Sequence, residues 1–280
     1  MKKQIQIFTA NAAGNVTIFV NSAFERSEYS KVANQLLDMK ELGGEQVAFM
    51  MRSDKEGVDG KMEMCGLEFC GNASRSFGLL LAKMKRANGP ARVMVEVSGC
   101  DEPLMVQADT ITSWAKIQMP DYEEIKQLDL SGLDLEDIYG DAEALKSVDM
   151  VDFGGIAHII VKDVKATEEN FRKIKEYIYG SMDMPALGVM FFDVKEHELT
   201  PVVYVKDVDS TYFEGSCGSG TTACAIAFSK NKLPGRYPQR FRQPAGSIDT
   251  IVEVKKGRVE KVFIESTVVL SDPIKVEIDV

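Results

Sequence analysis

A chain of 280 residues is long enough for two domains of ordinary size, and 45% hydrophobic with 27% charged residues is the balance of a folded globular protein, not a disordered or fibrous one. A formal net charge of -10 argues against nucleic-acid binding, which needs clustered Lys and Arg to displace counterions from phosphates. The opening Met-Lys-Lys-Gln-Ile-Gln-Ile lacks the apolar core of a signal peptide and no later run is long enough to span a bilayer, so a cytoplasmic protein without a membrane partner is expected.

Strand-like runs occupy Ile5 to Val20 around a small-residue turn from Thr9 to Asn15, a polar loop able to face a ligand. Arg26 to Lys40 reads as an amphipathic helix, and Gln46 to Met51 as a short buried strand after the Gly43-Gly44 break. Next, Phe69-Cys70-Gly71-Asn72 opens directly into a helix running to Lys85 whose middle is apolar on nearly every face, the mark of an interior helix. The acidic stretch from Asp121 to Gly140, polar and weakly periodic, reads as the crossing between domains. Ser216-Cys217-Gly218-Ser219-Gly220 then opens a second apolar helix, read as far as Lys232. Superposing Cys70 on Cys217 aligns Gly71 with Gly218 and Lys85 with Lys232, so one unit occurs twice. Short β-type runs at Val93–Val97, Ala115–Met119, Ile159–Val164, Pro201–Val205 and Val259–Glu265 enclose both helices.

Two cysteines at two helix starts suggest proton transfer. The first N–H groups of a helix lack intrahelical partners and carry partial positive charge, which stabilises a thiolate or a carboxylate. An ordinary cysteine is only about 3% thiolate at pH 7, and a helix terminus worth roughly 2 kcal/mol brings it near half-ionised. One such group as thiolate and one as thiol form a base and an acid without metal or cofactor. The adjoining glycines let backbone N–H groups approach an α-carboxylate and stabilise the charge that appears when the α-proton leaves. Cys224 lies in the apolar helix body and Cys65 and Cys100 lack the small-residue helix entry, so all three read as structural thiols. A zinc site is not expected, because Cys65 and Cys70 have no second matching pair and the only histidines are His158 and His197.

These motifs resemble the diaminopimelate epimerase family along most of the chain. Gly14-Asn15 is similar to the family's N-terminal Gly-Asn, Glu45-Gln46 to its acidic residue and substrate-loop Gln, Cys70-Gly71-Asn72 to the first catalytic motif, and Cys217-Gly218-Ser219 to the second. The resemblance implies an α+β fold of two pseudo-symmetric domains, each a strand barrel around a central helix, with the active site in the cleft between them. The domains would be residues 1–120 with a returning strand at 268–280, and 121–267. It also implies a homodimer with no cofactor, Cys70 and Cys217 as catalytic residues, and Asn15, Gln46, Gly71, Asn72, Gly218 and Ser219 around an amino-acid substrate. The family's Gly-Asn-Pro-His step is Gly155-Ile156-Ala157-His158 here, and its Glu-Arg pair is Val208-Asp209, so the groups that hold a second amino-acid head are missing. Burying a distal carboxylate without them is costly. The Gly-Gly-Ile-x-His and Glu-Gly-Ser-Cys forms look more like the histidine racemases of opine-metallophore pathways, and histidine is the leading substrate. Diaminopimelate epimerase, or an amino-acid binding protein of the same fold without turnover, are the alternatives. Glu68 and Glu214, each close to one cysteine, are candidates to orient a thiol or meet the side chain.

Overall fold

The computed structural model describes residues 2–279, with the side chain of Val208 outside the described set. Contacts divide the chain into two compact units, Met1–Gln118 with Ile264–Val280, and Met119–Phe263.

In the first unit β1 (Lys2–Ala12) and β2 (Asn15–Val20) form an antiparallel hairpin. Its loop is only Ala13-Gly14, with φ of 57° and 89°, the pair of positive values of a two-residue turn whose twist suits a hairpin. The turn is therefore shorter than the small residues of Thr9 to Asn15 suggested. Ala10 and Ala12 are buried strand residues, small because they face the interior and not because the chain bends there. The helix α1 (Tyr29–Asp38) crosses to β3 (Gln46–Met51), which lies parallel to β2, and β4 (Gly60–Met64) returns antiparallel to β3. Tyr29, Val32, Ala33 and Leu36 fall on one face of α1 and pack on Ile5, Ile18, Val47 and Phe49. A second helix, α2 (Gly71–Met84), crosses to β5 (Pro90–Val97), parallel to β4, and β6 (Leu104–Asp109) and β7 (Trp114–Gln118) follow as an antiparallel meander.

The second unit repeats this order. After β8 (Glu124–Leu128), β9 (Val148–Asp152) and β10 (Ala157–Lys162) pair antiparallel, and α3 (Glu168–Tyr179) crosses to β11 (Ala186–Asp193), parallel to β10. An antiparallel pair with β12 (Glu198–Val205) and a hairpin strand β13 (Ser210–Phe213) precede α4 (Gly218–Ala227). The helix leads to β14 (Gly235–Gln243), parallel to β12, and β15 (Gly246–Lys255) returns beside β14. Last come β16 (Arg258–Leu270) and β17 (Ile274–Asp279). The end of β16 and all of β17 pair with β1, and β16 also pairs with β7, which closes the first unit's strands into a ring.

Inside that ring α2 touches β1, β2, β4, β5, β6 and β7, and Gly71 to Ala82 are all buried. Full burial of Phe77, Leu79 and Leu80 contributes about 1.5–3 kcal/mol each. The fit is close, since a Cβ on Gly78 would stand 2.5 Å from Val106 Cβ on β6. In the second unit α4 packs on β9, β10, β11 and β15 and is buried from Gly220 to Ala227. It ends a turn earlier than its sequence implied: Ser229 to Lys232 form turns ahead of Pro234, whose ring disfavours helix in the residue before it. The acidic stretch from Asp121 contains β8, a strand exposed along most of its length, which is why it carried no readable period. Among the described residues no helix is long and apolar enough to cross a membrane.

Candidate active site

Cys70 caps the N-terminus of α2, with φ -129° and ψ 110°, and its Sγ accepts from Ala73 N–H at 3.4 Å. Gln46, first residue of β3, donates from Nε2 toward Cys70 Sγ at 3.3 Å. Strand register places it there: β2 and β3 pair Thr17 with Gln46, so Thr17 Oγ1 and Asn15 Oδ1 both lie 2.7 Å from that same amide nitrogen. Asn15, just beyond the tight turn, donates in turn to Glu45 Oε2 at 3.0 Å. The first unit thus brings together Asn15, Gln46, Cys70, Gly71 and Asn72. Asn72 is buried, and its Oδ1 accepts from Arg75.

Cys217 repeats the arrangement in the second unit. It caps α4 with φ -128° and ψ 114°, and its Sγ accepts from Gly220 N–H at 3.3 Å. At the position four residues on, a hydroxyl bonds the cysteine carbonyl in both copies, Ser74 Oγ at 2.7 Å and Thr221 Oγ1 at 2.6 Å. Gln243 steadies this turn, accepting from Cys217 N–H at 2.8 Å and donating to Thr221 Oγ1 at 3.0 Å. Ser219 lies next to the sulfur, its Oγ 3.4 Å from Cys217 Sγ and 3.0 Å from His158 Nε2.

A helix start alone would favour the thiolate at both Cys70 and Cys217. At Cys217, however, burial pushes the thiol well above its ordinary value, and the charge and hydrogen bond of Glu214 push it further up, opposed by the Ser219 hydroxyl and the Gly220 N–H. Cys217 is therefore a thiol at neutral pH. Cys65, Cys100 and Cys224 are also pushed up by burial, as suits packing residues. Glu68 is exposed, and its charge bears on Cys65. Asp209 is engaged by Tyr204 Oη at 2.8 Å, Ile156 packs against the second unit's core, and the side chain of Val208 lies outside the described residues.

His158 is fully buried, and desolvation lowers its pKa from 6.5 to about 3, so the ring is neutral at pH 7. Among the described residues its Nδ1 has no hydrogen-bond partner, and the ring edge lies against Gly188, where any Cβ would collide with that nitrogen. Because the folded pKa lies below the unfolded one, the stabilising effect is whole above pH 6.5 and is lost as pH falls toward 3, at about 1.4 kcal/mol per unit. Urea titrations of wild type and His158→Gln at pH 7 and pH 5 should show the wild type losing about 2 kcal/mol more than the variant. Equal losses would mean that His158 is charged in the fold.

Sequence reasoning missed Arg75, hidden in an apolar helix, and Thr17 and Gln243, whose places depend on strand register and on a strand after the helix. None has a local motif.

A family model described as "Histidine racemase CntK N-terminal domain" matches residues 4–273. A histidine racemase of Fusobacterium nucleatum subsp. nucleatum is 34% identical over 253 residues, covering 87% of this chain and 88% of the relative. A histidine racemase of Staphylococcus aureus is 27% identical over 253 residues, covering 89% of each. Among solved structures, a PhzF-family phenazine biosynthesis protein of Bacillus anthracis shares the fold, with a TM-score of 0.70 at 14% identity over 98% of this chain and 99% of that one. On a family match across nearly its whole length and relatives of this similarity, the chain belongs to the histidine racemase family.

Proposed function

We propose that the protein interconverts L- and D-histidine without a cofactor, with Cys70 and Cys217 as the two proton-transfer groups. Family membership makes it an isomerase of the racemase class acting on a small-molecule amino acid. The observation that carries the cysteine assignment is the repeated cap: each sulfur starts an interior helix with nearly the same backbone angles and accepts from the N–H three residues on.

The chemistry requires the two thiols to meet opposite faces of one α-carbon. Cys70 as thiolate takes the α-proton, and the electron pair left behind spreads into the carboxylate. N–H groups at the glycine-rich helix starts are suited to receive that charge, with Asn15, Gln46, Asn72 and Ser219 as polar contacts. Cys217 as thiol then delivers its proton to the other face. The product leaves Cys70 as thiol and Cys217 as thiolate, which is the state that acts on the opposite enantiomer, so no net proton is consumed. The reading extends to a cytoplasmic homodimer without nucleic-acid or membrane partners, in a compartment where the free cysteines stay reduced.

Chiral chromatography after incubation with histidine, the other common amino acids and LL-diaminopimelate tests the substrate. Histidine should be preferred over diaminopimelate by about a hundredfold or more in kcat/KM, since a distal carboxylate finds Ile156 where the resemblance called for an amide. Faster epimerisation of diaminopimelate would overturn the substrate and leave the cysteines standing. Binding without solvent exchange of the α-hydrogen would make the protein a receptor.

A further inference from the structure

Arg75 is fully buried in the second turn of α2. Its guanidinium donates to Asn72 Oδ1 from Nε at 3.3 Å and Nη2 at 3.0 Å, and to the Ser266 carbonyl from Nη1 at 3.2 Å. These partners are neutral oxygens, and burying an arginine beside them alone is expensive, because the group stays charged: desolvation lowers its pKa only to about 10. The charged side chains on the strands around α2 are committed elsewhere. Glu63 pairs with Arg26, Lys61 with Glu96, and Lys116 with Glu265, while Asp109 accepts from Ile111 and Thr112 N–H. Lys2 pairs with Glu277 and Lys3 lies over Phe24 on β1's side, and Arg92 on β5 is exposed. The titratable group whose charge does act on Arg75 is Cys70.

The repeat sharpens the contrast. With Cys70 superposed on Cys217, Arg75 falls on Thr222, whose hydroxyl merely bonds the Gly218 carbonyl at 2.8 Å, and Leu67 falls on Glu214, the carboxylate that presses Cys217 toward the thiol. Two substitutions in one duplicated motif thus put a cation within electrostatic reach of one sulfur and an anion within reach of the other.

We propose that Arg75 is the positioning residue that makes Cys70 the resting thiolate of the pair, its buried positive charge balanced by that thiolate and transmitted along the Asn72 turn, while Glu214 keeps Cys217 as the resting thiol. The proposal rests on Cys70 being the base in the reading above. The duplicated thiols are then unequal before substrate arrives. Proton transfer begins from one defined state and not from a mixture.

The test is the pH dependence of alkylation at Cys70, read by fragment-ion mass spectrometry on substrate-free full-length protein. Removing the cation in Arg75→Gln, which keeps an amide donor for Asn72 or Ser266, should move the Cys70 midpoint up by about one pH unit and slow alkylation at pH 7 by up to about fivefold, the fall in thiolate fraction for a group at least half-ionised there. Arg75→Lys, which keeps the charge and loses the fork, should stay within a few tenths of a unit of wild type even where kcat falls. A folded Arg75→Gln with an unmoved midpoint overturns the proposal. If that variant does not fold, an Arg75→Lys midpoint displaced upward by a full unit overturns it instead, and one that stays supports it. Cys70→Ser separates the two levels: full racemisation by that variant removes the underlying reading, whereas an inactive Cys70→Ser with an unmoved Arg75→Gln midpoint removes only the role of Arg75.

Discussion

Either Cys70→Ser or Cys217→Ser should lower histidine racemisation by about a thousandfold or more, because each removes the proton-transfer group of one face and a serine hydroxyl is too weak an acid to replace it. The remaining sulfur can still remove a proton from the enantiomer that faces it and return one from solvent with retention. In D2O each variant should therefore exchange the α-hydrogen of one enantiomer, and the two variants should choose opposite enantiomers. The unequal surroundings of the thiols add a second expectation. Cys217 is held protonated by burial and by Glu214, so Cys70→Ser, which leaves only Cys217, should exchange more slowly at pH 7 than Cys217→Ser and should speed up as pH rises. Proton NMR of the α-hydrogen for D- and L-histidine measures both. If the two variants exchange D and L forms alike, one base serves both faces and the assignment of opposed acid and base is wrong.

How much of this was legible in the sequence depends on how local each feature is. A helix start needs only its own few residues, so Cys70-Gly71-Asn72 and Cys217-Gly218-Ser219 could be read as caps, and their likeness exposed the duplication. The strand Gln46–Met51 and the amphipathic face of α1 were readable for the same reason, as continuous patterns. What could not be read was created by pairing. Gln46 reaches Cys70 because β2 and β3 run parallel in a register that sets Thr17 beside it, and nothing in either segment states that register. Arg75 looked like an interruption of an apolar face, and only its full burial turns it into an electrostatic feature. The charge of Cys217 was misjudged from the helix start alone, since a terminus is worth at most roughly 2 kcal/mol and burial with a neighbouring carboxylate outweighs it.

A residue far from any motif should matter almost as much as the cysteines. Gly99, in the turn after β5, has φ of +73°, and a Cβ there would strike Phe69 N and come within 2.9 Å of the Glu68 carbonyl carbon. These are backbone atoms of the segment that delivers Cys70, and they cannot swing aside as a side chain would. Ser98 holds the same segment, donating from Oγ to Glu68 O at 2.7 Å and accepting from Met64 N–H at 2.9 Å, so the strand end and the cysteine loop move together. Gly99→Ala therefore combines a left-handed backbone, costing about 1–2 kcal/mol, with an overpacked contact costing about 1–3 kcal/mol. A Cys70 sulfur shifted by about 1 Å should lose about a hundredfold in kcat/KM. Gly57→Ala is the control, because Gly57 has φ of +75° and nothing within 4 Å of the added Cβ. It should cost about 1 kcal/mol and leave turnover per folded molecule unchanged. Denaturant midpoints and kcat/KM of the two variants side by side measure the difference. A Gly99→Ala enzyme that behaves like Gly57→Ala in both would show that the approach to Phe69 does not hold the first cysteine in place.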